Sequence, residues 1–201
     1  MGNLVRTANE WDAPTMLKIY QNYIDTNTCK DTSLPTIAEF VQRIDKYTYG
    51  FGWLLSEIDS ETAGFCVLSE NSYDPTNMFT AEIKLWVKPT LLRRGVGDSL
   101  YHMMLGLMEL GDKRKVYARI NLPNDDAVAF HKHWGFTEVE TIKNGFEKGG
   151  KTCDVLVMER DLTPSNPEAK KPIKPIIVKL DKSKEFRKLQ LAAQERIKPI
   201  E

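Results

Sequence analysis

The residues best suited to chemistry stand in one turn, Arg93-Arg94-Gly95-Val96-Gly97, followed by Asp98 and Ser99. Two glycines leave backbone N–H groups bare where the chain enters a helix, and two arginines add positive charge beside them. Amides at a helix N-terminus, with the positive end of its dipole, make an anion site suited to phosphate or pyrophosphate. A plain helix start with a flexible entry would use the same residues. Two familiar phosphate loops are excluded: Asp98 stands where a P-loop needs Lys, and Leu100 where a dinucleotide fingerprint needs its third glycine.

The elements around the turn read as a strand, a stop at Pro89, the turn, and a helix with Val96, Leu100, Met103, Leu107 and Leu110 at helical spacing. Before it, Leu4–Thr7 suggests a strand, and a helix capped by Asn9 runs to about Asp25. A second helix opens on the capping box Thr36–Glu39 and runs to about Tyr47. Runs 52–58 and 62–68, separated by Asp59-Ser60-Glu61, read as a hairpin, and Phe79–Val87 as a strand. After the turn's helix come a strand over 115–122, a short helix over 127–134 opened by Asn124-Asp125-Asp126 and closed at Gly135, and strands over 136–142 and 153–160. This order predicts an α/β (α+β) sandwich, one mixed, mostly antiparallel sheet with helices on both faces. Beyond Leu162, Pro164, Pro167, Pro172 and Pro175 with Lys170, Lys171 and Lys174 suggest a stiff solvated linker, then a strand over 176–180 and a helix over 183–196. The expected division is a domain over 1–162 and a basic, partly helical extension over 163–201, whose charge suits a solvated face and whose apolar residues alternatively pack on the body or on a second subunit.

The chain has 201 residues, 41% of them apolar, enough for a real core. Formal net charge is zero, so no global field favours nucleic acid or an anionic membrane. The zero hides an asymmetry, about +5 from Pro164 onward and −5 before it. Three scattered cysteines suit free thiols in a reducing cytoplasm. No signal peptide or membrane span is expected, and the three histidines and three cysteines lack metal-ligand spacing.

Two segments carry a resemblance: the turn from Arg93 to Tyr101, and Asn121-Leu122-Pro123-Asn124-Asp125-Asp126-Ala127-Val128-Ala129-Phe130-His131-Lys132-His133-Trp134-Gly135-Phe136. In order and spacing they resemble the GNAT superfamily of acyl-CoA N-acyltransferases, and within it the phosphinothricin / methionine sulfoximine acetyltransferase branch. The likeness spans about Leu4 to Leu162. It implies a sheet splayed beyond the strand ending at Val87, with acetyl-CoA as co-substrate. The pantetheine arm would pair with the backbone of Leu85 and Val87, flanking Trp86. The turn residues Arg93 to Ser99 would hold the pyrophosphate, and Asn124 would cap its helix or touch the pantetheine. Leu92 stands where the family often has Gln or Arg, which implies weaker cofactor binding.

Acyl transfer to an amine needs a neutral amine, although an alkylammonium has a pKa of about 10.4, and a stabilised oxyanion. The leaving thiolate benefits from a proton, since a thiol pKa is about 8.5. Glu82 matches the branch's strand carboxylate and is the candidate base, in apolar surroundings expected to raise its pKa. Its alternative is a sheet-edge carboxylate paired with Lys84 or solvent. His131 stands where many relatives carry a tyrosine near the sulfur, making it the candidate acid; its alternative is a packing histidine. Asp31 aligns loosely with a branch glutamate and reads as a solvated aspartate. The loop Tyr73–Met78 lacks the branch's substrate-gripping arginines, so phosphinothricin and methionine sulfoximine are not expected acceptors.

The expected function is acetyl transfer from acetyl-CoA to the primary amine of a small molecule, amino-acid-like acceptors included. The alternatives are an acyl-CoA-binding module without turnover, and acetylation of a protein lysine or N-terminus. Analogy with the family admits a homodimer.

Overall fold

The computed structural model describes residues 2–48, 51–174 and 176–198. Pro175 and residues 199–201 of the expected extension lie outside the described residues. The regular elements are β1 (Asn3–Thr7), α1 (Ala13–Tyr20), α2 (Ile37–Thr48), β2 (Gly52–Ile58), β3 (Glu61–Ser69), β4 (Thr80–Val87), α3 (Val96–Leu110), β5 (Lys115–Asn121), α4 (Asp125–His133), β6 (Thr137–Lys148), β7 (Lys151–Asp161), α5 (Ile176–Leu180) and α6 (Lys184–Gln194).

Local chemistry accounts for the boundaries. Asn9 and Asp12 form a reciprocal cap, but the helix begins with a 3-10 turn and α1 gives way to another at Gln21–Tyr23. Thr36 and Glu39 form the expected capping box of α2. Asp59 and Ser60 both adopt positive φ, the geometry of a two-residue hairpin turn that matches strand twist. β6 runs to Lys148 rather than ending near Ile142, with a pairing irregularity between Ile142 and Phe146.

The sheet has seven strands in the order β1-β2-β3-β4-β5-β7-β6. Every neighbouring pair is antiparallel except β4–β5. Side chains alternate between its faces. Trp53, Leu55, Phe65 and Val67 pack with Met16, Tyr20, Phe40 and Ile44 of α1 and α2. Leu54, Cys66, Leu68, Ile83 and Val116 pack with α3 on the opposite face.

The one parallel pairing is cut short. β4 meets β5 only at Thr80↔Lys115, Ala81↔Val116 and Glu82↔Tyr117, and the strands then part. Fully buried Lys113 closes the lower end, donating from Nζ to the carbonyls of Met78 (2.7 Å) and Thr80 (3.0 Å).

The extension packs into the body, the alternative to a solvated face. Phe186, Ala193 and Ile197 are buried in the cluster that holds α3, and Leu189 lies against Gly106 of α3. Burial of a large apolar side chain contributes roughly 1.5–3 kcal/mol, which outweighs the solvation of the exposed lysines alongside. The strand expected over 176–180 is helix α5. Its Ile176 and Ile177 are buried, with Ile177 against Gly52 of β2, so this stretch covers a face of the sheet and adds no strand. No helix among the described residues is long and apolar enough to cross a membrane.

Candidate active site

The parted strands leave a cleft of about 1510 Å³. Its β4 wall offers backbone. Lys88 N–H bonds the carbonyl of Ala63, and β3–β4 pairing continues with Phe65↔Trp86 and Val67↔Lys84. Hydrogen-bonded and non-bonded positions alternate along an antiparallel pair. Trp86 and Lys84 therefore turn their backbone groups to β3, while Ile83, Leu85 and Val87 turn theirs into the gap. The Val87 carbonyl already accepts the Tyr23 hydroxyl at 2.5 Å. Trp86, expected beside the cofactor, lines the cleft and stacks its indole on Phe65 with centroids 5.1 Å apart, forming part of an aromatic floor.

At the end of β4 the chain makes a 3-10 turn, Pro89–Leu91, and enters the basic turn. Arg93 (φ 62) and Gly95 (φ 84) are left-handed. Gly95 is the N-cap of α3 and no side chain caps that helix, so its first-turn amides have no intrahelical or side-chain acceptor. Gly95 and Gly97 line the cleft. Bare amides, a helix dipole and a glycine-walled approach fit a diphosphate.

Other members of the expected set take different duties. Asp98 lines the cleft and accepts the Trp134 indole N–H at 2.9 Å, tying α3 to α4. Ser99 is fully buried and its hydroxyl bonds the Val96 carbonyl at 2.7 Å, so it does not reach the cleft. Arg93 is exposed and pairs at 3.3 Å with Asp126. The Arg94 carbonyl accepts Lys198 N–H at 2.9 Å. Val96 is buried in the core, so only its amide faces outward. Asn124 caps α4, accepting Ala127 N–H at 3.2 Å, and lines the cleft. Leu92 is 55% exposed at the rim.

Glu82 lies where β4 and β5 part and is 2% exposed. Its surroundings are polar, not apolar as the sequence suggested. One carboxylate oxygen accepts the Ser72 hydroxyl at 2.5 Å, and the other stands 3.1 Å from Lys84 Nζ. Ser72 also accepts from Arg119 of β5 at 3.5 Å. The pairing with Lys84 named as the alternative is present, in a carboxylate that also faces the cleft.

His131 does not fit the acid role. Its Nδ1 is 2.7 Å from the Ala127 carbonyl and its Nε2 is 2.8 Å from the Tyr101 hydroxyl. A carbonyl can only accept, so Nδ1 carries the proton and Nε2 takes the one Tyr101 donates. Burial lowers the His131 pKa, which keeps the ring neutral, and the neutral ring has no proton left to give a thiolate.

These features meet a family match. The model for the acetyltransferase (GNAT) domain matches residues 5–157, most of the chain. The chain belongs to the GNAT acetyltransferase family. As a member it is an acetyl-CoA-dependent N-acetyltransferase, and the splayed sheet expected from the sequence is present. It is 29% identical over 177 residues to a phosphinothricin N-acetyltransferase of Streptomyces viridochromogenes, covering 86% of this chain and 93% of the relative. A phosphinothricin N-acetyltransferase of Alcaligenes faecalis is 25% identical over 161 residues, covering 79% and 82%. In fold it is similar to a phosphinothricin acetyltransferase of Sinorhizobium meliloti solved with acetyl-CoA, with TM-score 0.75 and 22% identity, covering 85% and 94%.

The cleft of this GNAT chain is also shaped by residues to which the sequence gave no role or a different one. Asp31 is not a solvated aspartate. Arg43 grips it with both terminal nitrogens, at 2.6 and 2.8 Å, and the Tyr20 hydroxyl donates to it at 2.6 Å. The guanidinium holds the Asp31 carboxyl below the usual range. Arg119 and Lys84 bring cations to the cleft from the strands, where the sequence had looked only in the 73–78 loop. The loop after α1 roofs this end. Asn27 accepts from Asn121 at 2.5 Å and donates to the Leu122 carbonyl at 3.2 Å, while Lys148 of β6 donates to the carbonyls of Ile24, Thr26 and Cys29.

Proposed function

We propose that this acetyltransferase acts on the primary amine of a small molecule that carries an anionic group near that amine. The observation behind this reading is the chain Glu82–Ser72–Arg119 across the mouth of the gap. A carboxylate placed to receive an amine's proton and a guanidinium placed to receive an anion stand one hydroxyl apart. The relatives named for an amino-acid-like substrate support the same class.

Acetyl-CoA supplies the acyl group as a thioester. Glu82 takes the ammonium proton, directly or through water, freeing the nitrogen lone pair for attack; as the C–N bond forms the C–S bond breaks, and the coenzyme leaves as the thiol with the second proton that the nitrogen sheds. The gap-facing N–H groups of Leu85 and Val87 are the donors available to a developing oxyanion. Arg119 and Lys84 orient the acceptor through its anion, offsetting the cations missing from the 73–78 loop. We place the protein in the cytoplasm on the strength of its three free cysteines, and a homodimer stays a proposal by family analogy.

The test is thiol release from acetyl-CoA with paired amines, each with and without a carboxylate or phosphinate. Removing a charge-assisted hydrogen bond costs about 1.5–3 kcal/mol, so Arg119→Ala should raise KM for the anionic acceptor roughly 10- to 150-fold and leave KM for acetyl-CoA unchanged. Equal use of neutral and anionic amines, with Arg119→Ala indifferent to both, overturns the acceptor class. No thiol release from any amine, with coenzyme bound, overturns the reading.

A further inference from the structure

The carbonyl of Arg94 and the N–H of Gly95 belong to one trans peptide group and point in opposite directions. That carbonyl is held from behind by the backbone N–H of Lys198, 2.9 Å away. Fixing it aims the Gly95 N–H the other way, toward the cleft that Gly95 lines.

The turn needs such a hold. Arg93 and Gly95 are both left-handed, a conformation that an arginine adopts only when its surroundings impose it. The C-terminal segment supplies surroundings. A Cβ on Gly95 would stand 2.0 Å from the Arg196 carbonyl oxygen, so the segment lies directly against the turn. Asn3 of β1 donates to the Ile197 carbonyl at 3.0 Å. Ile197 is buried, and upstream Gln190 donates to the Val5 carbonyl at 2.7 Å. The Arg196 guanidinium lies 5.5 Å over the ring of Trp134, whose indole holds Asp98 in the first turn of α3.

We propose that Arg196–Lys198 is a positioning element of the diphosphate site: its backbone latches the Arg94 carbonyl and so presents the Gly95 amide to the coenzyme's phosphates. The proposal rests on the functional reading above. It assigns the work to the Lys198 backbone and none to its side-chain charge. The basic character of the extension is then incidental to its role at the turn.

Two substitutions at one position separate these. Lys198→Pro removes the N–H, and Lys198→Ala keeps it while removing the charge. Coenzyme A binding is measured by calorimetry on the full chain, with thermal unfolding alongside. The expected result is about 3- to 10-fold weaker binding for Lys198→Pro, the worth of one hydrogen bond, and wild-type binding for Lys198→Ala. Asn3→Ala, which loosens the segment from the other side, should weaken binding in the same direction and covers the case in which the proline variant does not fold. Equal affinity across wild type, Lys198→Pro and Asn3→Ala overturns the latch. Equal weakening in Lys198→Pro and Lys198→Ala also overturns it, since the charge would then be responsible. Absence of coenzyme A binding by the wild type is a different failure, that of the functional reading itself.

Discussion

The Tyr101 hydroxyl donates to His131 Nε2 across 2.8 Å, and the Ala127 carbonyl accepts the Nδ1–H hydrogen bond. The pair fixes the neutral tautomer of a histidine that burial already disfavours charging. The sign of the pH effect follows. The unfolded chain binds a proton near pH 6.5 and the folded chain only below that, so this residue's contribution to stability falls as pH drops through about 6.5. Tyr101→Phe frees the Nε2 lone pair and should raise the His131 titration midpoint in ring NMR spectra. An unmoved midpoint would contradict the tautomer assigned here.

Glu82→Gln keeps the size of the side chain and removes its basicity. General-base catalysis contributes about 10²- to 10⁴-fold, so kcat should fall by that order while coenzyme A affinity holds. Ser72→Ala, which strips the carboxylate of one donor, should cost less. Wild-type kcat in Glu82→Gln would move the base elsewhere.

Lys113 reports on the closed end of the gap. Burial, with Lys174 nearby, brings its pKa down to about 7. An unfolded lysine holds its proton to about pH 10.4, so between these values the unfolded state binds more protons and this group's contribution to stability rises with pH. Urea unfolding at pH 7 and pH 9 should give a steeper gain in wild type than in Lys113→Met. That variant should also be less stable by about 1–3 kcal/mol, because the Met78 and Thr80 carbonyls lose their donor. Equal pH slopes would show that Lys113 does not titrate in this window.

Gly95→Ala places a Cβ 2.0 Å from the Arg196 carbonyl oxygen, in a left-handed position. The segment must shift, so thermal stability should fall by about 1–3 kcal/mol, with coenzyme A affinity falling too. A variant as stable as wild type would mean the contact relaxes without cost.

Much of this was written locally in the chain. The glycine turn and the period of α3 located a helix start without a side-chain cap, and Asn124 announced α4. What stayed hidden depended on partners far away in sequence. Arg119 has no motif around it; it comes to line the cleft only because β5 pairs with β4 through Tyr117 and then diverges. Asp31 looked solvated because Arg43 lies a helix away. Asp98 and Ser99 looked like turn residues facing a ligand, and the Trp134 indole and the helix's own carbonyl claimed them. The packing of α6 did leave a trace. α3 is apolar nearly all round, with Tyr101, Met104, Leu105 and Met108 buried beyond the single stripe a half-exposed helix needs. A helix so apolar requires cover on more than one side, and the extension was the chain left to provide it.

The parted sheet is bound at both ends of its opening. Three residue pairs and Lys113 close the bottom, and at the top Tyr23 ties the segment after α1 to the Val87 carbonyl of β4 while Asn121 and Lys148 tie the loop that follows it to β5 and β6. The slot's width is therefore set when the protein folds, and an incoming coenzyme does not have to wedge two lobes apart. The ordering cost of binding falls on the flexible thiol arm rather than on the protein.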